Sequence, residues 1–265
     1  MLDGSVYNPE GLVYSYSKLA HGKARADAIR YYYMFLFCID AGDGINAAKC
    51  FKAYKSCPVG DRECKGCSAN AEIEYYLHSG EKEKADSLAL KIENGILRCK
   101  DSFNSSFSLL RMKRIYLKYY ICHGDYENAA KCAYILEHSS SQEKDFNPWA
   151  FIMCAYVYSK PGRAMRIYKK HWQEWEEERN PIEKFFAYKC VACFFKGLGK
   201  LKGTDTVKIR FSGSFPLYNA DNVYKVCKII EYYYKGAEKI AAKFDQRNGT
   251  HKFIKELEMT FANVL

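Results

Sequence analysis

The sequence lacks the common motifs of enzymes and of secreted or membrane-spanning proteins. It contains no phosphate-cradling glycine-rich loop, no Gly-x-Ser-x-Gly motif and no His-Glu-x-x-His motif, and its six histidines are scattered singly. Its N-terminus has no basic region followed by an apolar run, as a secretory signal would. The most apolar stretch, residues 31–39, is too short to span a bilayer as a helix. These absences favour a non-enzymatic cytoplasmic protein with no cofactor and no membrane insertion.

Positive charge is in excess along the chain. Lysine and arginine number 41 against 31 acidic residues, which gives a formal net charge of +10. Such a charge predicts an acidic partner, which is a protein, a nucleic acid or an anionic surface, but it says nothing about the fold. The 48% hydrophobic content of the 265 residues is enough for one elongated domain or two compact ones.

Twelve cysteines raise the question of disulfides. Most lie singly inside apolar helical runs, where a free thiol packs as a small hydrophobic group. The reducing environment of the cytoplasm keeps such thiols from forming disulfides. The cysteines in such apolar runs are Cys38, Cys122, Cys154, Cys190 and Cys227.

A Gly-Asp turn followed by small and apolar residues recurs along the chain. It occurs as "AGDGINAAKCFKAY" and "HGDYENAAKCAYIL", and as "SGEKEKADSLALKI" with Glu in place of Asp; "SKPGRAMRIYKKHW" is a degenerate fourth copy. Glycine can end one helix in a left-handed conformation, and an alanine in the next helix lets the two helices approach closely. The alanines in this position are Ala47, Ala85, Ala129 and Ala164.

The third copy resembles the tetratricopeptide repeat family, whose second helix often starts with a Gly-Asp-Tyr-Glu-x-Ala run like that at residues 124–129. The other copies match in part and their spacing is irregular. The resemblance implies an all-α, right-handed α-solenoid of irregular helical hairpins over residues 25–198, after an N-terminal segment, 1–24. It also implies a scaffold that binds proteins or peptides along a concave face.

Apolar periodicity divides the predicted helices into outer and inner ones. Segments 29–39, 148–158 and 182–198 are apolar nearly all round, which predicts burial on several sides. Segment 163–179 has an apolar stripe and a polar opposite face, which is typical of an outer helix. The stripe consists of Ala164, Ile167, Tyr168, His171, Trp172 and Trp175.

Beyond residue 198 the pattern changes. Residues 199–217 are rich in Gly, Ser and Thr and predict a loop or short β-hairpin insertion. Residues 218–265 predict two capping helices, a long one from about Asn219 to Phe244 and a last one with Thr250 as its N-cap. Asp245 and Arg247 fit either a local ion pair or part of a site. The long helix should bury Val223, Val226, Cys227, Ile230, Tyr234, Ala237, Ala241 and Phe244.

One predicted helix, residues 105–124, carries a narrow row of cations on an otherwise apolar surface. Its three members lie within about 60° of one another around the helix axis, and we call them the basic stripe. Lys189 and Lys196 form a weaker version, and Arg30 extends it. We expect either a basic groove for an acidic protein segment or merely solvated side chains. The basic stripe consists of Arg111, Arg114 and Lys118.

The densest group of cysteines is Cys57, Cys64 and Cys67. The Cys-x2-Cys step suits zinc, with Cys50 or His78 as a further ligand, but the Cys57–Cys64 spacing fits no standard zinc motif and a second Cys-x2-Cys is missing. A redox pair and an ordinary loop are the alternatives. Since the ordinary loop is favoured, the sequence predicts no metal.

The leading functional prediction is a non-enzymatic protein- or peptide-binding scaffold. An immunity or inhibitor protein and an adaptor or peptide receptor fit the sequence equally well. The alternative from another class is a single-stranded RNA-binding helical-repeat protein, because positive charge is combined with 16% aromatic residues. The oligomeric state is not predicted.

Overall fold

The computed structural model describes residues 23–62, 64–99, 106–139, 148–203 and 205–264. Most of the predicted N-terminal segment, residues 1–22, lies outside this part of the chain. The described residues form eleven α-helices and almost no sheet, so the predicted all-α class is confirmed. The elements are α1 (Lys23–Ala41), α2 (Gly44–Ser56), α3 (Lys65–His78), α4 (Lys82–Glu93), α5 (Phe107–Cys122), α6 (Tyr126–Glu137), α7 (Trp149–Ala155), α8 (Pro161–Glu177), α9 (Pro181–Lys202), β1 (Thr206–Lys208), β2 (Val223–Lys225), α10 (Val226–Asn248) and α11 (Lys252–Ala262).

The chain divides into two compact units, residues 1–112 and 113–265, and the division falls within α5. In the first unit, α1 packs on α2 and α3, and α3 packs on α4. In the second unit, α9 contacts α7, α8, α10 and α11, and thus lies at the centre. The right-handed solenoid arrangement stays a prediction.

The glycines of the repeated turn have the predicted backbone conformation. Gly42, Gly80 and Gly124 have φ values of 80°, 80° and 75°, which place all three in the left-handed region. A side chain at such a position is strained, so glycine is the residue that lets a helix end and the chain turn within a few residues. The predicted helix boundaries at these turns are therefore confirmed.

Two of these turns share the same capping interaction. Asp43 accepts a hydrogen bond from the backbone N–H of Asn46 at 3.0 Å, and Asp125 accepts one from Asn128 at 3.1 Å. Each asparagine also donates its side-chain amide to the same aspartate, at 2.6 and 2.8 Å. The aspartate satisfies an N–H group that the first helical turn leaves without a partner. Gly-Asp-x-x-Asn is thus one local motif used twice.

The four alanines after these turns are completely buried, as their position predicts. No larger side chain fits where two helices approach this closely without displacing one of them. The alanines with 0% exposure are Ala47, Ala85, Ala129 and Ala164.

The predicted burial patterns are confirmed in the second unit, whereas segment 29–39 of α1 exposes Arg30 and Tyr33 and is not buried all round as predicted. The buried residues of α8 are the six predicted ones, and the rest of its surface is polar or half-exposed. Every described residue from 150 to 157 is buried, as is every residue from 187 to 195. A helix that is apolar all round needs neighbours on several sides, and α9 has four of them.

The predicted start of the long C-terminal helix is wrong, and its predicted buried face is confirmed only at Val226, Ala237 and Ala241. Residues 223–225 form β2, which pairs antiparallel with β1 with Val207 opposite Tyr224, so α10 begins only at Val226. Helix α9 also extends four residues past 198 and ends at Gly203, which has a left-handed conformation. The sequence predicted a short hairpin here but missed the second strand. The residues that α10 buries are Val226, Ile229, Tyr233, Ala237, Ala241 and Asp245.

The cap of the last helix is also different from the prediction. Asp245 is buried in α10, and its carboxylate accepts the backbone N–H groups of Phe253 and Ile254, both at 2.9 Å. Thr250 is therefore not the capping side chain. Arg247 instead donates to Asn248 at 3.0 Å. Of the two alternatives for Asp245 and Arg247, the local ion pair is not what the structure has, because Asp245 caps the following helix.

None of the helices in the described ranges is long and apolar enough to cross a membrane.

Replacing Asp245 by alanine should lower the free energy of unfolding by about 2 kcal/mol, because two N–H groups of α11 lose a charged acceptor. Asp245→Asn keeps one acceptor oxygen and should lose about half as much. Urea unfolding at neutral pH measures the effect, and hydrogen exchange of the first α11 amides locates it. Arg247→Ala is the control and should change stability by less than about 0.5 kcal/mol. A larger loss in Arg247→Ala than in Asp245→Ala would contradict the capping role.

Candidate functional site

The first residue of the basic stripe, Arg111, is used inside the first unit. Its guanidinium lies near Tyr32, Glu74 and the Cys67 thiol. Burial lowers the pKa of Arg111, but these neighbours outweigh burial and the net pKa is raised. The side chain is half-buried. The positive charge of Arg111 therefore interacts with polar groups of its own unit.

The other two stripe residues belong to the second unit and are half-buried. The Lys118 ammonium lies 4.7 Å from the centre of the Phe186 ring and 5.5 Å from that of Phe151. Burial raises the pKa of Glu183, while Lys118 acts on it in the opposite direction. Arg114 and Lys118 both make further interactions within the protein. Lys118 thus faces two aromatic rings and a carboxylate rather than open solvent.

Lys189 does not face a groove. It is 3% exposed and pairs with the Glu256 carboxylate of α11, with its ammonium 5.1 Å from the Phe186 ring centre. Burial lowers the pKa of Lys189, but Glu256 outweighs it and the pKa is raised. A buried amine with such a partner has no charge to offer at the surface, so we remove Lys189 from the partner-binding set.

Lys196 is occupied at the end of α11. Its ammonium donates to the Phe261 carbonyl and lies 4.3 Å from the centre of that residue's ring. Lys200, one turn later, donates to the Val264 carbonyl at 3.3 Å. Burial, followed by Lys200, lowers the pKa of Lys196. Both lysines satisfy carbonyl groups at a helix C-terminus, where positive charge is favourable.

Arg30 is exposed on α1, with its guanidinium 5.1 Å from the centre of the Tyr31 ring. It lies in the first unit, whereas Lys118, Lys189 and Lys196 lie in the second. The six residues predicted to share a groove are therefore divided between two units. Most of them already bind groups of their own chain.

The cysteine cluster has a different membership from the predicted one. The Sγ atoms of Cys64, Cys67 and Cys99 lie within 4.8 Å of one another, and the Cys67–Cys99 distance is 3.8 Å. Cys57 is not part of it and donates to the Ala53 carbonyl at 3.4 Å. We call Cys64, Cys67 and Cys99 the thiol cluster.

The predicted fourth ligands do not join the thiol cluster. His78 ends α3, eleven residues after Cys67 and hence about 16 Å along the helix. Cys50 packs with the core of the α1–α2 pair. Sequence spacing missed Cys99 because it lies 32 residues from Cys67 and reaches it only after α4 reverses the chain.

The thiol cluster is built at the start of α3. Cys64 is the N-cap residue, and its sulfur accepts the backbone N–H of Cys67 at 3.4 Å. Burial raises the pKa of the Cys67 thiol, and neighbouring Cys64 and Cys99 raise it further. Without a cation Cys67 is thus held as a neutral thiol.

A second candidate lies on α8 in the second unit. The helix begins with cations and ends with carboxylates, with no acid in its first turn and no base in its last. Arg163, Arg166 and Lys170 lie within about 60° of one another around the axis. We call the exposed cations from this part of the chain the basic patch. They are Lys160, Arg163, Arg166, Lys169 and Lys170.

The basic patch borders an open pocket between α6 and α8, whose lining includes Tyr134 and His138. Tyr134 is 52% exposed, and the Lys160 ammonium lies 5.0 Å from the centre of its ring. Arg163 donates to Glu137 at 2.7 Å. The pocket thus combines cations with one exposed aromatic ring.

Four cations of the basic patch, Lys160, Arg166, Lys169 and Lys170, pair with no carboxylate in the described part of the chain. Lys160 is the N-cap residue of α8 and provides no capping hydrogen bond from its side chain. Pro161 has no N–H group, and Arg163 and Ala164 donate theirs to the Lys160 carbonyl. The cations therefore lie at the positive end of the helix dipole. The sequence signal was present, since residues 160–170 carry five cations before the first acid at Glu174, but the repeat pattern drew attention to the buried face instead.

Lys189→Met should lower the free energy of unfolding at neutral pH by up to about 3 kcal/mol, because Glu256 loses its counter-charge. This is the low end of the range for a broken buried pair, since 23% of the Glu256 side chain remains exposed to solvent. Burial raises the pKa of Glu256 and Lys189 lowers it to a net depressed value. The stabilisation is therefore present above the ordinary glutamate pKa of about 4.3 and is lost as the pH falls through the depressed one. Urea unfolding between acid and neutral pH measures it.

The double variant Lys189→Met/Glu256→Leu is the control, because it removes both charges and should recover most of the stability. Equal stability of Lys189→Met and the unchanged chain would show that the pair is not structural.

Comparison of the chain with protein-family models, with curated proteins and with solved structures finds no match. The resemblance of its Gly-Asp turns to tetratricopeptide repeats therefore stays a prediction.

Proposed function

We propose that this protein is a non-enzymatic binding scaffold and that an acidic segment of a partner protein binds to the basic patch. The observation that carries the proposal is the reversed charge order of α8, with cations at its start and carboxylates at its end. Roles as an immunity or inhibitor protein and as an adaptor or peptide receptor are both compatible with this surface.

The reversed order is unfavourable for the isolated helix. The N-terminus of a helix carries a partial positive charge, so a cation in the first turn costs about 0.3–1 kcal/mol at low ionic strength. Lys160 and Arg163 both occupy this turn. An arriving carboxylate would interact favourably with the helix N-terminus and with these cations together. The arrangement therefore favours binding of an anion over stability of the free helix.

The shape of the basic patch fits a peptide. Arg163 and Lys170 are seven residues apart, which is about 10 Å along the helix and the length of about three residues of an extended chain. The adjacent ring of Tyr134 supplies an apolar contact. A segment with acidic residues and a neighbouring apolar side chain is complementary to both features.

Single-stranded RNA is less well matched. Such binders stack successive bases on exposed aromatic rings. Among the aromatic residues that the structure describes, only Tyr33, Tyr134 and Tyr218 are largely exposed, and they are far apart in the sequence. Of the twenty tyrosines that the structure describes, nine are buried and eight are half-buried. RNA binding is thus kept as an outcome of the test below.

The triple variant Arg166→Glu/Lys169→Glu/Lys170→Glu should weaken binding of a glutamate- and leucine-containing peptide at least about tenfold, since exposed charge contacts contribute about 0.5 kcal/mol each. Fluorescence anisotropy of the labelled peptide at about 0.1 M and 0.5 M salt measures the affinity and its screening. A peptide with glutamine in place of glutamate is the ligand control. Arg163 is left in place because it pairs with Glu137.

The matched protein control is Lys239→Glu/Lys243→Glu/Lys255→Glu, which changes the net charge equally at exposed lysines of α10 and α11. It should keep most of the affinity. Equal loss in both triple variants would show that net charge alone attracts the peptide. Tighter binding of an oligouridine strand than of the peptide, with a steep salt dependence, would favour the RNA-binding alternative.

Substitutions at Gly162, the second residue of α8, should change stability and peptide affinity independently. It is exposed, and an added side chain meets no atom within 4 Å. Gly162→Ala should stabilise the protein by up to about 0.5–1 kcal/mol without changing peptide affinity. Gly162→Glu should stabilise it at least as much, because the new carboxylate complements the helix N-terminus, but it should weaken peptide binding. Unchanged peptide affinity in Gly162→Glu would exclude this end of α8 from the binding surface.

A further inference from the structure

The thiol cluster has the dimensions of a zinc site. Thiolate ligands bind zinc at about 2.3 Å in a tetrahedral arrangement, which places two sulfurs about 3.8 Å apart. The Cys67 and Cys99 sulfurs are 3.8 Å apart, and Cys64 completes a set within 4.8 Å. Closing that set around one ion requires movements of about 1 Å or less. We propose that Cys64, Cys67 and Cys99 bind a Zn²⁺ ion.

The backbone around the thiol cluster supports thiolate ligands. The Cys-x2-Cys step lies at the N-terminus of α3, and the Cys67 N–H donates to the Cys64 sulfur. Helix N-termini stabilise negative charge on such sulfurs. Gly66, between the two cysteines, allows the incoming chain to approach, because a side chain there would meet the Arg98 carbonyl carbon and Cys99 nitrogen at 2.6 Å. The close approach of Cys99 thus depends on glycine at position 66.

Polar groups suited to a metal–thiolate centre lie beside the cluster. Ser108 is 2% exposed, and its hydroxyl has no hydrogen-bond partner among the described residues. It lies against Gly66, 2.3 Å from where a Cβ atom would stand. Arg111 lies near Cys67 and supplies a positive charge. A hydroxyl donor and a cation are the kinds of neighbours that orient and balance thiolate ligands.

Three thiols in mutual contact favour a metal over a disulfide. A disulfide uses two sulfurs and leaves the third unused, whereas zinc takes all three and accepts a solvent molecule as its fourth ligand. The ion would join the start of α3 to the chain after α4, because Cys99 follows α4 and the other two ligands begin α3. It would thus close the open end of the α3–α4 pair.

Metal binding is tested on the full chain, purified without an affinity tag and kept reduced. After removal of metal, Zn²⁺ is titrated against a chromophoric chelator, and Co²⁺ is added separately to record thiolate-to-metal charge-transfer bands. We expect one Zn²⁺ per chain and a Co²⁺ spectrum of a tetrahedral thiolate site. Each serine variant should weaken Zn²⁺ affinity by more than about 100-fold, because replacing a ligand costs more affinity than replacing a residue that only contacts a ligand. The three variants are Cys64→Ser, Cys67→Ser and Cys99→Ser.

Cys57→Ser is the matched control, because Cys57 is half-buried and close in sequence but lies outside the cluster. It should bind Zn²⁺ like the unchanged chain. The Co²⁺ spectrum of the unchanged chain tests the proposal even where a variant fails to fold. Absence of Zn²⁺ binding and of thiolate bands would overturn the proposal. So would an equal loss of affinity in Cys57→Ser and Cys99→Ser, or formation of a Cys67–Cys99 disulfide in a glutathione buffer in place of metal binding.

Discussion

Chain reversal at left-handed glycines is the constraint on which both candidate sites depend. Gly80 ends α3 and lets α4 run back along it, which returns Cys99 to the start of α3. Gly124 ends α5 in the same way before α6, one of the two helices that border the pocket beside the basic patch. A left-handed residue and a small residue at the contact determine where each helix ends and how closely the next one packs. The sites are consequences of those turns.

The cations of this protein divide into two classes that differ in what surrounds them. Lys189 and Lys196 bind a carboxylate and a backbone carbonyl of their own unit, so their charges stabilise the packing of α11 on α9. Arg166 and Lys169 lie on the exposed face of α8. Internal pairing reduces the charge available to a partner, because a desolvated ammonium group needs its own counter-charge. The net charge alone therefore does not locate a binding surface.

The two candidate sites would bind ligands of opposite charge. The thiol cluster brings three sulfurs together, and a bound cation would favour their thiolate forms. The basic patch places like charges together at the end of a helix that repels them, and an anion would relieve that repulsion. In both places the protein accepts a local arrangement that is poor for the free chain. Such conflicts between local preference and stability are common at functional sites.

The sequence by itself determined the helical class, the glycine turns, the buried alanines and the buried face of α8, because each depends on contacts within a few residues or on helical periodicity. It did not determine that residues 223–225 form a strand, that Asp245 caps the following helix or that Cys99 joins Cys64 and Cys67. Each of these depends on groups distant in sequence that approach only in the folded chain. Tertiary structure also decided which cations are buried, since the same residue type at the same helical spacing can face a carboxylate or solvent.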